Sequence, residues 1–295
     1  MTRHLTAALR MVRAYVRHPD RRVADRVAWT TAWDQVIALP ILFTDGDGLK
    51  FVLHPGRNEG VYVEAGGNYE TDEVALCRRL VGPGATVFDI GANIGMYSLF
   101  FAAITGSKGE VHAFEPEPRN AERLRLHLLL NPGVGPVRLH EAAVGREEGT
   151  VTLHAFEEAY NSWHSLARIK LPDPFHPGQI VQSTRAIDVP CVTLDNHCER
   201  HDVDRIGLLK IDVEGGELGV LHGAADLLSR RAIDHILFEV ALPQIEAFGV
   251  DPGEIFALLA EAGYTAKAIN PGGLLGPPVT RAEREYRNYL AEPAT

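Results

Sequence analysis

Cysteine, methionine and tryptophan each occur only three times in the 295 residues. The cysteines, Cys77, Cys191 and Cys198, form no close metal-ligand pair and leave one over in any disulfide scheme, so neither a zinc ribbon nor a disulfide framework is expected. No apolar run approaches the roughly 20 residues that a membrane-spanning helix needs. The opening stretch, MTRHLTAALRMVRAYVRHPDRR, lacks both a continuous apolar segment and a small-residue cleavage site, which argues against a secretory leader. A reducing, cytoplasmic setting without a transmembrane segment is the simplest expectation. Positive charge is also scarce: 29 Lys and Arg against 39 Asp and Glu give a net charge of −10, the wrong sign for a general nucleic-acid binder.

The deficit is uneven. Residues 1–28 carry seven arginines against Asp20 and Asp25, a basic start suited to packing as a helical extension or to docking on an anionic surface. The most telling absence lies further on, where residues 86–107 contain no Lys or Arg at all.

What is present is ordinary for a globular protein, with 45% hydrophobic and 23% charged residues, and the length suits one large domain with an extension. We expect an N-terminal helical segment and hairpin over residues 1–65 and a principal domain over 66–295. The first 38 residues are expected to be helical, broken near His18-Pro19-Asp20. ILFTDGDGLKFVLHPG predicts a β-hairpin about Asp45-Gly46-Asp47-Gly48, and a helix is expected from Thr71 to Leu80. From Thr86 onward strands alternate with helices, the pattern of a mostly parallel sheet covered on both faces. VRLHEAAV and GTVTLHAF are expected as strands joined by a turn at Gly145, EGGELGVLHGAADLLSRR as one helix, and YTAKAI with LLGPPV as an antiparallel pair. The polar stretch 157–188 is long for a connection and suggests a substrate loop or lid.

In TVFDIGANIGMYSLFFA a strand ends in a carboxylate, passes a glycine turn and enters a helix. Three ligands suit such a turn: a dinucleotide, a nucleoside triphosphate or a nucleoside without phosphates. The dinucleotide fingerprint needs glycine where this chain has Asn93 and Met96, and the triphosphate loop needs a Lys-Ser/Thr that is missing. Nothing here neutralises phosphate. Backbone amides, Asn93 and the carboxylate of Asp89 suit a zwitterionic amino-acid group instead. Glu115 ends the next strand, 24 residues beyond Gly91, where a carboxylate can accept hydrogen bonds from both ribose hydroxyls. Ribose plus amino acid without phosphate describes S-adenosylmethionine.

The chain at this point resembles the FkbM family of methyltransferases, over about residues 66–240. The resemblance rests on NYE, VFDIGANIGMYS, VHAFEPEPRN, EAAVG and above all LLKIDVEGGELGVLHGA followed by ILFEV. It implies an α/β, Rossmann-like class I methyltransferase fold: a seven-stranded, mostly parallel sheet with one reversed strand and helices on both faces. It also implies S-adenosyl-L-methionine as cofactor and O-methylation of a small molecule such as a sugar or polyketide, with S-adenosyl-L-homocysteine as product. By the same resemblance Asp89, Gly91, Asn93 and Gly95 line the methionine end, assisted by Glu70 and Ser98. Glu115 takes the ribose, Pro116 and the Ala142-Ala143 backbone lie beside adenine, and Asp212 sits at the edge of the methionine and substrate site.

For the proton that leaves a hydroxyl acceptor, Asp212, Glu214 and His164 are the candidate bases. Lys210 shares a strand face with Asp212 and suits a structural partner of an acid. Glu217, with Glu214, suits a helix N-terminus as well as a catalytic role. A Mg²⁺ held by Asp212 and Glu239 is an alternative that is not favoured. N-methylation or peptide modification with the same cofactor stays open, as does a homo-oligomer. A non-catalytic nucleoside-binding relic and a dehydrogenase rank lower, the last because of Asn93 and Met96.

Overall fold

The computed structural model describes residues 39–54, 59–67, 69–173 and 178–294, and the expected N-terminal helices lie outside the described residues. The described residues divide into two compact units: those up to 69, with 156–162 and 170–182, form one, and those of 70–155, 163–169 and 183–294 the other.

In the smaller unit the expected hairpin is present, with β1 (Ile41–Thr44) antiparallel to β2 (Lys50–Leu53). Asp45 organises its turn: Oδ1 accepts the N–H groups of Asp47 and Leu49, both at 2.9 Å, and Oδ2 accepts the Tyr62 hydroxyl at 2.8 Å. Tyr62 lies on α1 (Gly60–Glu64) and packs edge-on against the fully buried Phe51, which couples the helix to the hairpin.

The larger unit holds the main sheet. After α2 (Thr71–Leu80), which occupies the expected residues, come β3 (Thr86–Ile90), α3 (Met96–Thr105), β4 (Glu110–Phe114), α4 (Pro118–Leu130) and β5 (Val137–His140). Proline at its first position and the Glu117 carboxylate, which accepts the N–H of Arg119 and Asn120, start α4.

Beyond β5 the structure corrects several expectations. VRLHEAAV is not a single strand leading through a turn into GTVTLHAF but divides in two. β5 belongs to the main sheet, whereas β6 (Ala143–Val144) and β7 (Gly149–Ala155) flank β10 (Arg185–Val192) in a separate three-stranded sheet. The 157–188 stretch is not one loop either. It holds the short antiparallel pair β8 (Lys170–Pro172) and β9 (Ile180–Gln182) in the smaller unit and contributes the start of β10 to the larger one.

The chain then re-enters the main sheet through α5 (Leu194–Arg200) and β11 (Ile206–Ile211). The single helix expected after β11 is two, α6 (Glu217–His222) and α7 (Ala225–Ser229), parted at Ala224 where ψ leaves the helical range. Asp195 caps the second by accepting the N–H groups of Asp226 and Leu227, at 2.9 and 3.0 Å. β12 (Ile233–Ala241), α8 (Leu242–Ala247), α9 (Gly253–Glu261), β13 (Tyr264–Asn270), β14 (Leu274–Val279) and β15 (Tyr286–Pro293) complete the unit.

The sheet has eight strands, one more than expected, in the order β14-β13-β15-β12-β11-β3-β4-β5. β5, β4, β3, β11 and β12 are parallel, and β15 inserts antiparallel between β12 and β13. The extra strand is β14, the predicted antiparallel partner of β13, which joins the edge. Both faces are covered. Phe88, Phe114, Leu209, Ile211 and Phe238 lead the larger core, and Ala113 packs with Ala92 and Leu124 under α4 on the other side. Each such large side chain, fully buried, contributes about 1.5–3 kcal/mol. Chain order reverses between β3 and β11, so a crevice opens at their carboxyl ends, where α/β sheets bind ligands.

Candidate active site

Three left-handed residues in alternation shape the turn after β3: Gly91 (φ 83°), Asn93 (φ 50°) and Gly95 (φ 91°). Gly91 is held against the end of β11. A β-carbon there would stand 1.8 Å from the Asp212 carbonyl oxygen, and the Asp212 N–H donates to Ile90 O at 3.0 Å. At Gly95 the same addition would meet Leu124 of α4 at 2.7 Å, so the glycine lets α3 and α4 close together. Asn93 is a residue type that tolerates the left-handed conformation. Its N–H donates to Glu115 Oε2 at 2.8 Å, and Glu115 Oε1 accepts the Glu117 N–H, also at 2.8 Å. Glu115 therefore turns toward the glycine bend at the tip of β4. Burial pushes its carboxyl up to about 8, although both amides favour the ionised form.

On the other side of the bend, β3 and β11 pair Asp89 with Lys210. Asp89 is fully buried and accepts the Ser98 hydroxyl at 2.6 Å through Oδ2. Lys210 Nζ donates to Asp212 Oδ2 at 2.9 Å, lies 3.9 Å from Asp89 Oδ1 and stands 4.6 Å from the centre of the Tyr97 ring. Tyr97 in turn donates its hydroxyl to Glu70 Oε2 at 2.6 Å. Burial alone would lower the Lys210 ammonium, but the carboxylates of Asp212, Asp89 and Glu70 reverse this and hold it above its usual range. Burial raises Asp89 and Glu70 in the opposite contest, with Lys210 pulling both down. Two buried oxygens here, Asp89 Oδ1 and Asn93 Oδ1, accept no hydrogen bond.

Past Asp212 the chain gathers further acids. Glu214, itself left-handed at φ 54°, accepts Gln244 Nε2 at 3.2 Å, and its carbonyl accepts the Ser165 hydroxyl at 2.8 Å. Glu217 Oε1 accepts the Gly215 N–H at 3.1 Å, and burial pushes its carboxyl up to about 7. Glu239, opposite Asn288 of β15, and Glu214 are both raised well above the carboxylate range, by burial first and then by Asp212. Among the described residues, Asp212, Glu214 and Glu239 do not bring three ligand atoms within 4.8 Å of one another.

His164 stands apart from this acidic group. Its charged surroundings are Glu117, Arg185 and Arg119, and burial is the main force that lowers it to about 4. Pro116 is half-buried between Glu115 and Glu117, and Ala142 and Ala143 are buried just beyond β5.

Sequence reasoning missed Tyr97, Glu117 and Gln244. Tyr97 adjoins the predicted Ser98 and Glu117 follows Glu115-Pro116, but only the folded chain turns Tyr97 onto Lys210 and ties Glu117 Oε1 to Arg185 at 2.8 Å.

Residues 89–266 match the methyltransferase FkbM domain, which takes in the glycine bend, Glu115 and the acids from Asp212 to Glu239. The chain belongs to the FkbM family of methyltransferases. Similar curated proteins agree with that membership. The 31-O-demethyl-FK506 methyltransferase FkbM of Streptomyces tacrolimicus is 29% identical over 213 residues, 63% of this chain and 75% of that one. The hexuronic acid methyltransferase AglP of Haloferax volcanii is 27% identical over 194 residues, 65% of this chain and 69% of that one. Methyltransferase 1 of Beauveria bassiana is 29% identical over 147 residues, 48% of this chain, and the match spans 58% of that relative's own length. This FkbM-family protein is thus an enzyme, and its α/β sheet is that of a Rossmann-like methyltransferase.

Proposed function

We propose that this FkbM-family enzyme uses S-adenosyl-L-methionine to methylate a hydroxyl group of a small molecule. The observation that carries the reading is that two buried oxygens, Asp89 Oδ1 at the end of β3 and Asn93 Oδ1 in the bend that Glu115 adjoins, accept no hydrogen bond. Buried acceptors call for donors, and the ammonium of an amino-acid ligand supplies them. Glu115 retains lone pairs for two ribose hydroxyls while holding the Asn93 and Glu117 amides. Pro116, Ala142 and Ala143 supply apolar surface for adenine.

The cofactor, when bound, contributes a methyl carbon already activated by its sulfonium. The protein's task is to align the acceptor and take its proton. Asp212 is the proposed proton acceptor. One of its oxygens is fixed by Lys210, and its side chain is 37% exposed, against 0% for Asp89. Glu214 and Glu239, whose carboxyls burial and then Asp212 raise, line the acceptor side. Lys210 positions Asp212. His164 is neutral at pH 7 and serves acceptors that approach from the Glu117 side. Mg²⁺ is not favoured on this reading; Asp212 and Glu239 are the residues that would hold it.

The hydroxyl acceptor draws support from the relatives that act on 31-O-demethyl-FK506 and hexuronic acid, and the net charge of −10 disfavours a nucleic acid. Among the described residues no helix is long and apolar enough to cross a membrane. Three buried, unpaired cysteines suit the reducing cytoplasm. We assign the transferase domain to residues 66–295 and the extension to 1–65.

The deciding experiment incubates the enzyme with S-adenosylmethionine and a panel of sugars and polyketide alcohols, with amines as controls, and follows S-adenosylhomocysteine. Turnover on an alcohol that falls about 10²–10⁴-fold in Asp212→Asn, with cofactor affinity little changed, is expected. Absence of any cofactor binding would sink the proposal, and transfer to amines alone would correct the acceptor.

A further inference from the structure

Away from the glycine bend, the larger unit contains a second cluster of titratable side chains that methyl transfer does not use. His112 on β4, His140 at the end of β5 and His197 on α5 bring one ring nitrogen each into a group lying within 4.8 Å of one another. His112 Nδ1 is 3.0 Å from His197 Nε2 and 3.3 Å from His140 Nε2. His112 and His197 are buried, whereas His140 is half-buried. His201, one turn beyond His197, is exposed and borders the group, with its ring centre 4.3 Å from that of His197.

Hydrogen bonding among the rings does not account for this convergence. A neutral imidazole nitrogen carries either one proton or one lone pair. A proton on His112 Nδ1 satisfies one neighbour and leaves the other poorly matched, and a lone pair there must be shared by two donors. A cation accepts all three lone pairs together. Zn–N bonds of 2.0–2.1 Å at tetrahedral angles set ligand nitrogens roughly 3.3–3.4 Å apart, close to the two separations from His112 Nδ1.

The surroundings suit a metal as well. Ligation through His112 Nδ1 leaves its proton on Nε2, which faces Glu110 Oε2 at 3.3 Å, a carboxylate placed to tighten into the outer partner that ligating histidines commonly have. Phe88 stacks on His112 and Phe114 on His140, with ring centres 4.5 and 4.6 Å apart, so one side of the group is apolar. Burial is the leading cause that lowers all three imidazoles, His140 to about 4 and His197 to about 3. Arg138 on β5, Arg200 on α5 and His201 just past it add to the lowering, while Glu110 on β4 opposes it for His112 and His140.

We propose that His112, His140 and His197 form a binding site for Zn²⁺ or a similar borderline divalent cation, with His201 or water as fourth ligand. The cation clasps the edge strand β5 to β4 and α5. It stabilises the native chain by mass action, since residues 112, 140 and 197 are brought together only on folding.

The test uses tag-free, full-length protein stripped with a chelator and dialysed. Titration with ZnCl₂ against a colorimetric competitor is expected to show one equivalent bound per chain and a rise in unfolding temperature. CoCl₂ is expected to give the intense visible bands of a tetrahedral ion. Glu110→Gln should weaken Zn²⁺ roughly 10- to 100-fold. His140→Gln, whose half-buried side chain makes it the substitution best tolerated by the fold, should abolish both the cobalt bands and the thermal response. His197→Gln should do the same, with circular dichroism to confirm folding of each variant. Octahedral cobalt spectra in the parent protein, or zinc affinity unchanged in a folded His140→Gln chain, would overturn the assignment. Cofactor binding at the glycine bend is read separately, so failure of one proposal leaves the other standing.

Discussion

Replacing Glu115 by glutamine changes one oxygen of a buried carboxylate into an amide nitrogen while keeping its shape. In the native chain both oxygens are engaged, Oε2 by the Asn93 N–H and Oε1 by the Glu117 N–H, each at 2.8 Å. The amide has one acceptor oxygen, so one of these backbone donors must face an NH₂ group. A buried donor left unsatisfied costs about 1–3 kcal/mol of stability. The cofactor loses in parallel. A hydrogen bond to a charged acceptor is worth about 1.5–3 kcal/mol, and loss of one from the ribose weakens binding about 10- to 150-fold. Isothermal titration with S-adenosylhomocysteine measures the second effect and urea unfolding the first. There is also a pH signature. The free protein holds the Glu115 proton up to about pH 8, while a ribose is bound best by the ionised form. Affinity should therefore rise as pH climbs toward about 8 in the parent, and this component should vanish in Glu115→Gln. Equal affinity in the two proteins, with equal pH dependence, would refute the role of Glu115 as sugar anchor. Glu115→Ala, which removes both acceptors, then tests whether the bend itself still holds.

Three further outcomes follow from the same geometry. Gly91→Ala should lower stability by at least the ~1–3 kcal/mol of left-handed backbone strain, before its 1.8 Å conflict with Asp212 is added, and parent-like urea unfolding would contradict the close approach. Glu217 has a carboxyl raised by burial to about 7, so the folded chain keeps a proton that the unfolded chain releases at lower pH. Its contribution to stability is present below the unfolded value and is lost as pH rises through about 7. Glu217→Gln should flatten that part of the stability profile, and an unchanged slope in thermal melts from pH 5 to about 8 would count against it. Tyr97→Phe keeps the ring over Lys210 but removes the hydroxyl from Glu70, a bond worth about 0.5–1.5 kcal/mol, or more if Glu70 is ionised. A clear loss in stability without loss of cofactor affinity is expected, and a matched fall in cofactor affinity would move Tyr97 into the binding surface.

Much of the candidate site was legible because its parts are local. An apolar strand ending in Asp89, a bend that glycine and asparagine tolerate and a following amphipathic helix occupy one short stretch, and each step is a short-range conformational preference. The same is true of the Asp45–Gly48 turn and of α2, whose ends match expectation. EGGELGVLHGAADLLSRR misled for the opposite reason. Its composition favours one helix, yet Asp195, some thirty residues earlier, supplies a cap that starts a second. VRLHEAAV reads as one strand because its residues are contiguous, but β10 takes β6 and β7 as partners while β5 stays in the main sheet. β15 carries no local sign that it will insert between β12 and β13.

By itself the sequence determined the alternation of strands and helices, the lack of phosphate-binding charge and the positions of Asp89, Asn93 and Glu115 at strand and turn ends, since these depend on neighbouring residues. Only the tertiary structure decided which side chains meet. Lys210 reaches Asp89 because β11 pairs in register with β3, and His197 reaches His112 because α5 packs on the sheet. Residue spacing carries no record of strand order or register, so contacts between distant segments, and the charges that burial suppresses or holds, emerge only when the chain closes.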